Sequence, residues 1–299
     1  MRTEMPTNTR KLYYEDPSLR YATARIVQAE ENRIVTDQTI FFGEGGGQVG
    51  DIGTINAVPV RDTIKRGGRR ILRQDLPDVN VETEVVHVIE GDAADLFHPG
   101  EEVELRVDNS FREGVTRHHT CTHIVMGAIW HLLGRDSYLV KGCRITPEQA
   151  RLDVFIETHK FQGELLREIE EVTNAWIATD ASVFTHPVTD VPEMYRWHCE
   201  WNLALGNYLD PEQVESYLSQ PCGGTHVPHL RKCGVVSLRR RSEGKNTERL
   251  YIKSEFPEIA QEIAQGVEQG AGDVATTVAN TVVNRVANTV VGVAGAVTK

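Results

Sequence analysis

Two short motifs far apart in the chain most restrict how it can fold. His119-Thr120-Cys121-Thr122-His123 puts two histidines at i and i+4, on one helix face about one turn apart, so their ring nitrogens can meet at a single ion. Almost a hundred residues later, Cys222-Gly223-Gly224-Thr225-His226 sets a thiolate donor and an imidazole four apart, on a segment whose two glycines permit a tight turn. Taken singly, the first pair also fits a polar helix face, and the second a Gly-rich turn that happens to carry Cys and His. Together they offer one thiolate and three imidazoles, a set suited to tetrahedral zinc, one Zn2+ per chain. If both pairs serve one ion, the fold must carry a helix against a distant loop. Zinc-finger pairs lie roughly 12–20 residues apart because the metal substitutes for a core. Here the intervening chain can build its own core, so the ion reads as part of an active cleft, with a purely structural ion as the alternative. A zinc peptidase is excluded, since its general-base Glu directly after the first histidine is replaced by Thr120.

The 299 residues, 40% of them hydrophobic, allow two modest domains or one large one. From about Lys11 to Val107, polarity alternates at a period of two in segments such as YATARIVQAE and NRIVTDQTIFF, as in half-buried strands. Glu30-Glu31-Asn32 reads as a hairpin turn, and a second hairpin is predicted to have its tip at residues 65–70. Pro99-Gly100 reads as a turn into a strand whose Val103, Leu105 and Val107 share one face. The period changes at Ser110, which with Glu113 has capping-box spacing and predicts a helix that runs to Gly134. A second helix is predicted over residues 161–179, with strands over 149–156, 182–188, 235–240 and 249–252. The expected fold class is therefore α+β: a small N-terminal β-barrel domain with a glycine-rich loop over residues 1–110, an antiparallel-sheet-plus-helices domain over 111–255, and a low-complexity tail over 256–299.

In the tail, Val274, Val278, Val282, Val286 and Val290 recur every four residues, and VANTVV occurs twice. That is an apolar stripe built from poor helix formers. It fits either a helix that self-associates or packs onto the domain, giving a homo-oligomer, or a disordered segment. Five cysteines, odd in number and widely spaced, do not resemble a disulfide framework and fit a reducing cytoplasm. The first residues lack the apolar core of a signal peptide, and no apolar stretch is long enough to span a membrane. A net charge of −11 repels nucleic acid on average, so such a partner needs local basic patches. The densest patch is Arg239-Arg240-Arg241 with Lys245 and Arg249, and Lys65, Arg66, Arg69, Arg70 and Arg73 form a second. Both can hold nucleic-acid phosphates without reading sequence, or can be solvated hairpin tips.

RHHTCTHIV, LDVFIE, PCGGTHV and RLYIKS, taken with the upstream FFGEGGGQVGDIGTI, resemble the editing domain of alanyl-tRNA synthetase and its free-standing relatives, the AlaX family, over roughly residues 10–254. The resemblance implies that His119, His123, Cys222 and His226 bind zinc beside the ester of a misacylated tRNA, which the domain hydrolyses without ATP. It implies tRNA(Ala) mischarged with serine or glycine as partner, and action in trans, since the chain leaves no room for an aminoacylation domain. It also implies that Thr122 lies in the amino-acid pocket and that Gly45, Gly46, Gly47 and Gln48 lie against the cleft and help to set amino-acid choice. The glycine run lacks the Lys-Ser/Thr of a nucleotide P-loop, and a turn that needs positive φ is its other reading. Two departures stand out: a Gln and a Ser common in the family fall on Val140 and Cys143 here. Another aminoacyl ester, or a non-catalytic zinc-stabilised tRNA-binding module, are the competing functions. Cys143 has no assignable base and is not read as a nucleophile.

Overall fold

In the computed structural model, which describes residues 8–73, 79–200 and 219–256, the alternating N-terminal segments close into a barrel. The strands are β1 (Arg10–Lys11), β2 (Tyr21–Glu30), β3 (Arg33–Thr36), β4 (Gln38–Thr39), β5 (Gly53–Ile55), β6 (Val58–Arg66), β7 (Arg69–Ile71), β8 (Val79–Val81) and β9 (Glu84–Ile89). A short helix α1 (Ala93–Leu96) and β10 (Glu102–Val107) follow. The barrel order is β10-β2-β3-β9-β6-β5, closed by β5 on β10, so no barrel edge is left unpaired. Val103, Leu105 and Val107 all point inward, with Ile26, Ile34, Ile55 and Phe41 filling the interior. The Glu31-Asn32 turn joins β2 to β3 as expected, with Glu31 at φ 52.

Residues 65–70 are not a hairpin tip. β6 pairs with β9 as far as Arg66↔Glu84, and β7 continues on β8 from Arg69↔Val81. Gly67 and Gly68 therefore kink one long hairpin arm and do not reverse it. A Gly-Gly pair looks like a tip locally, but long-range register decides where the chain returns. Residues 74–78, between β7 and β8 in the chain, lie outside the described residues.

The second half begins with α2 (Asn109–Leu133), then β11 (Leu139–Ile145), β12 (Ala150–Phe155), α3 (Glu164–Ala178), β13 (Ser182–Pro187), β14 (Tyr195–Glu200), β15 (Ser219–Cys222), β16 (Val235–Gly244) and β17 (Thr247–Glu255). Its main sheet has the antiparallel order β11-β12-β17-β16, and β13-β14-β15 form a second sheet. Cys121, Ile124, Val125, Ala128 and Ile129 on α2 pack with Leu152, Val154, Leu250 and Ile252 of the sheet and with Ile169, Trp176 and Ile177 of α3. Gly134 ends α2 at φ 90, as expected. Its start corrects the capping-box expectation. Asp108, still extended as it leaves β10, is the N-cap and accepts from Phe111 N at 2.8 Å, while Glu113 takes the Asn109 amide at 2.9 Å. Ser110 is already helical and cannot cap, because a cap residue must keep non-helical φ and ψ.

Several contacts join the barrel to the second half, three of them through side chains of the barrel's loops and first strand. Arg112, 1% exposed, is held by Asp51 through Nε at 2.9 Å and through a second nitrogen that also reaches Ile40 O at 2.7 Å. Losing one partner of a buried pair like this costs about 3–5 kcal/mol. Lys11 Nζ meets Glu193 at 2.7 Å, and Tyr14 donates to Gly223 O at 2.9 Å. Of the tail expected over residues 256–299, all but Phe256 lies outside the described residues, among which no helix is long and apolar enough to cross a membrane.

Candidate metal centre

The candidate site residues collect at the seam these contacts close. α2 presents His119 and His123 from one face, β15 delivers Cys222, and the loop after it brings His226 back over α2. Gly224 makes that return possible: a Cβ there would lie 2.0 Å from His119 Cε1. The four donor atoms fall within 4.8 Å of one another. His119 Nε2 lies 3.2 Å from His123 Nε2 and 3.1 Å from Cys222 Sγ. A tetrahedral ion with metal–nitrogen bonds of about 2.0–2.1 Å sets its ligand atoms roughly 3.3 Å apart. The group can hold a metal ion with little rearrangement.

The ring tautomers agree with that reading. His119 Nδ1 lies 2.6 Å from Gln48 Oε1, and His123 Nδ1 lies 2.6 Å from Gln220 Oε1. Each amide is oriented by a second contact, since Gln48 Oε1 also accepts from Thr225 N at 3.1 Å and Gln220 Nε2 donates to His123 O at 3.2 Å. Amide oxygens only accept, so both Nδ1 atoms carry the proton and both Nε2 lone pairs face each other. Two facing lone pairs repel unless a cation stands between them. Burial holds all three imidazoles in the neutral, ligating form: His119 and His226 fall well below the ordinary histidine range, and His123 to about 4 against the raising effect of Gln220. Burial also pushes the Cys222 thiol up to about 11, opposed by the Gly224 N–H 3.3 Å away and by Lys65. A bound dication would reverse that balance and favour the thiolate.

The glycine-rich loop is both a turn and a wall. Gly45 and Gln48 exchange backbone hydrogen bonds at 3.0 Å around Gly46 and Gly47, whose φ values of 60° and 82° suit a type I′ turn. Gly47 then lies on β11, where an added Cβ would meet Cys143 O at 2.7 Å, and its carbonyl accepts from Ile145 N at 2.7 Å. Gln48 continues inward to His119. Thr122 is buried on α2 and donates to His118 O at 2.8 Å, which leaves its oxygen free to accept. Cys143 and Val140 pair with Leu152 and Val154, which face α2, so both belong to the wall on the metal side. Val140 is 46% exposed there, and burial pushes the Cys143 thiol up to about 12.

The first basic patch does not join this site. Along β16 and β17, Leu238, Leu250 and Ile252 face α2 while Arg239, Arg241 and Arg249 alternate onto the opposite face. Arg249 is bidentate to Asp153 at 2.6 and 2.9 Å, Arg240 to Glu248 at 2.5 and 2.9 Å, and Arg241 reaches Glu243 at 3.3 Å. Arg239 lies over the Tyr251 ring at 5.7 Å, and Lys245 sits in the turn at φ 46. Most of that charge is already neutralised within the chain. Sequence reasoning missed Gln220 and the Arg112–Asp51 pair, because neither residue type nor spacing marks a side chain that supports another.

The protein-family profile described as the threonyl and alanyl tRNA synthetase second additional domain matches residues 212–251. Over 243 residues the chain is 32% identical to the alanyl-tRNA editing protein AlaX-M of Pyrococcus horikoshii, which covers 81% of this chain and 96% of that protein. It is 33% identical over 238 residues to the alanine–tRNA ligase of Pyrococcus abyssi, and 31% over 239 residues to that of Thermococcus kodakarensis. Each of these two alignments covers 78% of this chain but only 24% of the ligase, so the chain spans about a quarter of the ligases it matches.

Proposed function

Since the chain belongs to the AlaX family of alanyl-tRNA editing proteins, we propose that it is an aminoacyl-tRNA deacylase that removes serine, and also glycine, from mischarged tRNA(Ala). The observation that carries this reading is the convergence of His119, His123, Cys222 and His226 beside the Gly45–Gln48 turn, which reaches them through Gln48. The donor set of three neutral imidazoles and one thiol fits Zn2+. Zinc bound there would supply positive charge beside the ester.

The chain's own residues do the positioning. An aminoacyl ester is already reactive, so orientation and exclusion of bulk water account for much of what such a site must add. Gln48 and Gln220 fix the ring orientation of His119 and His123, and the close approach of Gly47 to Cys143 holds the glycine-rich turn against β11. Thr122 offers a buried acceptor for a serine hydroxyl, a contact that alanine cannot make. Val140 and Cys143 line the β11 side without the polar pair common in the family, which leaves a different aminoacyl ester as the nearest rival. Four protein donors fill a tetrahedral shell, and this favours an ion that orients substrate over one that activates water. The same feature is the argument for a non-catalytic, zinc-stabilised tRNA-binding module. Incubating the protein with a panel of misacylated tRNAs separates these readings. Release of serine from Ser-tRNA(Ala), with Ala-tRNA(Ala) spared, is expected; release from no aminoacyl-tRNA leaves only the binding module.

A further inference from the structure

Lys65 belongs to the second basic patch, yet it is unlike its neighbours. Its side chain lies across the glycine-rich segment: a Cβ added at Gly43 would meet Lys65 Cγ at 2.8 Å, and one at Gly45 would meet Nζ at 3.2 Å. Neither glycine has a positive φ, so these two positions give up their side chains for room. The ammonium ends 4.7 Å from the centre of the Phe42 ring, on the same segment that turns at Gly46-Gly47 and reaches His119 through Gln48. Arg66 and Arg69 meet Glu84 and Glu82 at 2.9 and 3.1 Å. Among the described residues no carboxylate forms an ion pair with Lys65, although Glu193 and the Cys222 sulfur are near enough to act on it electrostatically. Burial draws its pKa down to about 8, which still leaves it charged at neutral pH. A half-buried cation without a direct ion pair is costly, and a ligand that brings a negative charge into contact with it lowers that cost.

The chemistry of the substrate narrows the choice of anion. Close to an aminoacyl ester the amino acid contributes an ammonium group, which Lys65 would repel, and the bases are neutral. The backbone phosphates carry the only negative charge. We propose that Lys65 is an anion-binding residue at the rim of the metal centre, taking a phosphodiester oxygen of the acceptor end of the tRNA beside the reacting ester. This rests on the deacylase reading. It assigns to Lys65, on the metal side, the phosphate contact that the self-neutralised β16–β17 arginines are poorly placed to make.

The experiment compares wild type, Lys65→Met and Lys65→Arg, each checked for metal content and folding, on two substrates. One is Ser-tRNA(Ala); the other is the seryl ester of adenosine, which carries no phosphate. Lys65→Met is expected to raise KM for Ser-tRNA(Ala) on the order of 10-fold, with kcat held within about twofold, and to lower the salt slope of binding by about one. Lys65→Arg should restore most of the loss, and hydrolysis of the adenosine ester should be unchanged. A folded, metal-loaded Lys65→Met with wild-type KM and salt slope overturns the proposal. So does an equal loss on both substrates, which would put the ammonium on the ester and not on a phosphate. If Lys65→Met does not fold, Lys65→Arg and Lys65→Gln are read in the same way. Should wild type deacylate nothing, the deacylase reading falls and Lys65 is judged on binding of uncharged tRNA. There, a slope unchanged in Lys65→Met overturns the anion role, and a slope lower by about one sustains it.

Discussion

At the scale of single residues, the candidate metal centre depends on side chains that are not themselves among its four donors. Gln48 arrives from the glycine-rich turn and accepts from His119 Nδ1, so one amide carries information from the barrel half into the ligand set. Removing such an outer partner typically weakens metal binding by about 10- to 100-fold. Gln48→Leu should therefore keep its fold and show that loss in a chelator-competition titration, whereas His119→Ala and Cys222→Ala should purify with little metal against about one zinc per chain in wild type. Equal metal affinity in Gln48→Leu and wild type would show that the amide is a packing residue only. Thr122 poses a different question, because its hydroxyl proton already goes to His118 O. Its oxygen can only accept, so a serine substrate has to donate. Thr122→Val should lower the ratio of Ser-tRNA(Ala) to Ala-tRNA(Ala) deacylation by the roughly 1–3 kcal/mol of a lost buried partner, with zinc retained. Thr122→Ser should keep the ratio. An unchanged ratio in a metal-replete Thr122→Val moves selection to the glycine-rich loop.

At the scale of elements, the barrel holds a titratable group whose chemistry is separate from the metal. His87 on β9 is fully buried against Phe41, accepts from Thr39 Oγ1 at 2.8 Å and gives its Nδ1 proton to Ile34 O at 3.2 Å. Burial lowers its pKa to about 4, with the Ile34 carbonyl opposing the shift. The folded protein then binds this proton less readily than the unfolded chain, whose histidine titrates near 6.5. Stability from this group is complete above the unfolded value and is lost as pH falls from about 6.5 towards 4, by up to roughly 3 kcal/mol. The expected observation is a barrel that melts earlier at pH 5 than at pH 7, measured by thermal unfolding in a metal-free buffer. His87→Gln should be less stable at pH 7 and should show a flatter dependence across that window. The same steepness in wild type and variant would assign the acid sensitivity elsewhere.

At the scale of the whole molecule, the candidate metal centre sits where two independently patterned halves meet. Arg112–Asp51, Lys11–Glu193, Tyr14 on Gly223 and Gln48 on His119 all cross that seam. None of these residues lies beyond β17, and the last proposed ligand is His226. Truncation after Phe256 should therefore leave zinc content and deacylation within about twofold of the full chain, and alter at most the oligomeric state through the valine stripe. Elemental analysis, a deacylation assay and light scattering on the truncated protein check this. A truncated chain that folds and binds zinc but releases no amino acid would make the tail part of the active unit.

How much of this was legible from residues alone differs with the range of the interaction. The His119/His123 pair could be read because helical spacing and ligand chemistry are local and few residue types bind zinc. The barrel strands and α2 could be read because burial on one face writes a period into the sequence. The start of α2 was misread by two residues because Ser110 and Asp108 are both good caps, and only the end of β10 decides which of them is still extended. The kink at Gly67-Gly68 passed for a hairpin tip because a turn's chemistry does not say which strand comes back. The arginines of β16 and β17 looked like a phosphate-binding patch because charge is visible in a sequence and its neutralisation is not. Sequence by itself determined the periods, the donor types and the family. Which carboxylate meets which cation, which amide supports which imidazole, and which cation is left without a partner were decided by tertiary structure, since those pairings join residues tens to nearly two hundred positions apart, and only the packing of two cores against each other brings them within 3 Å.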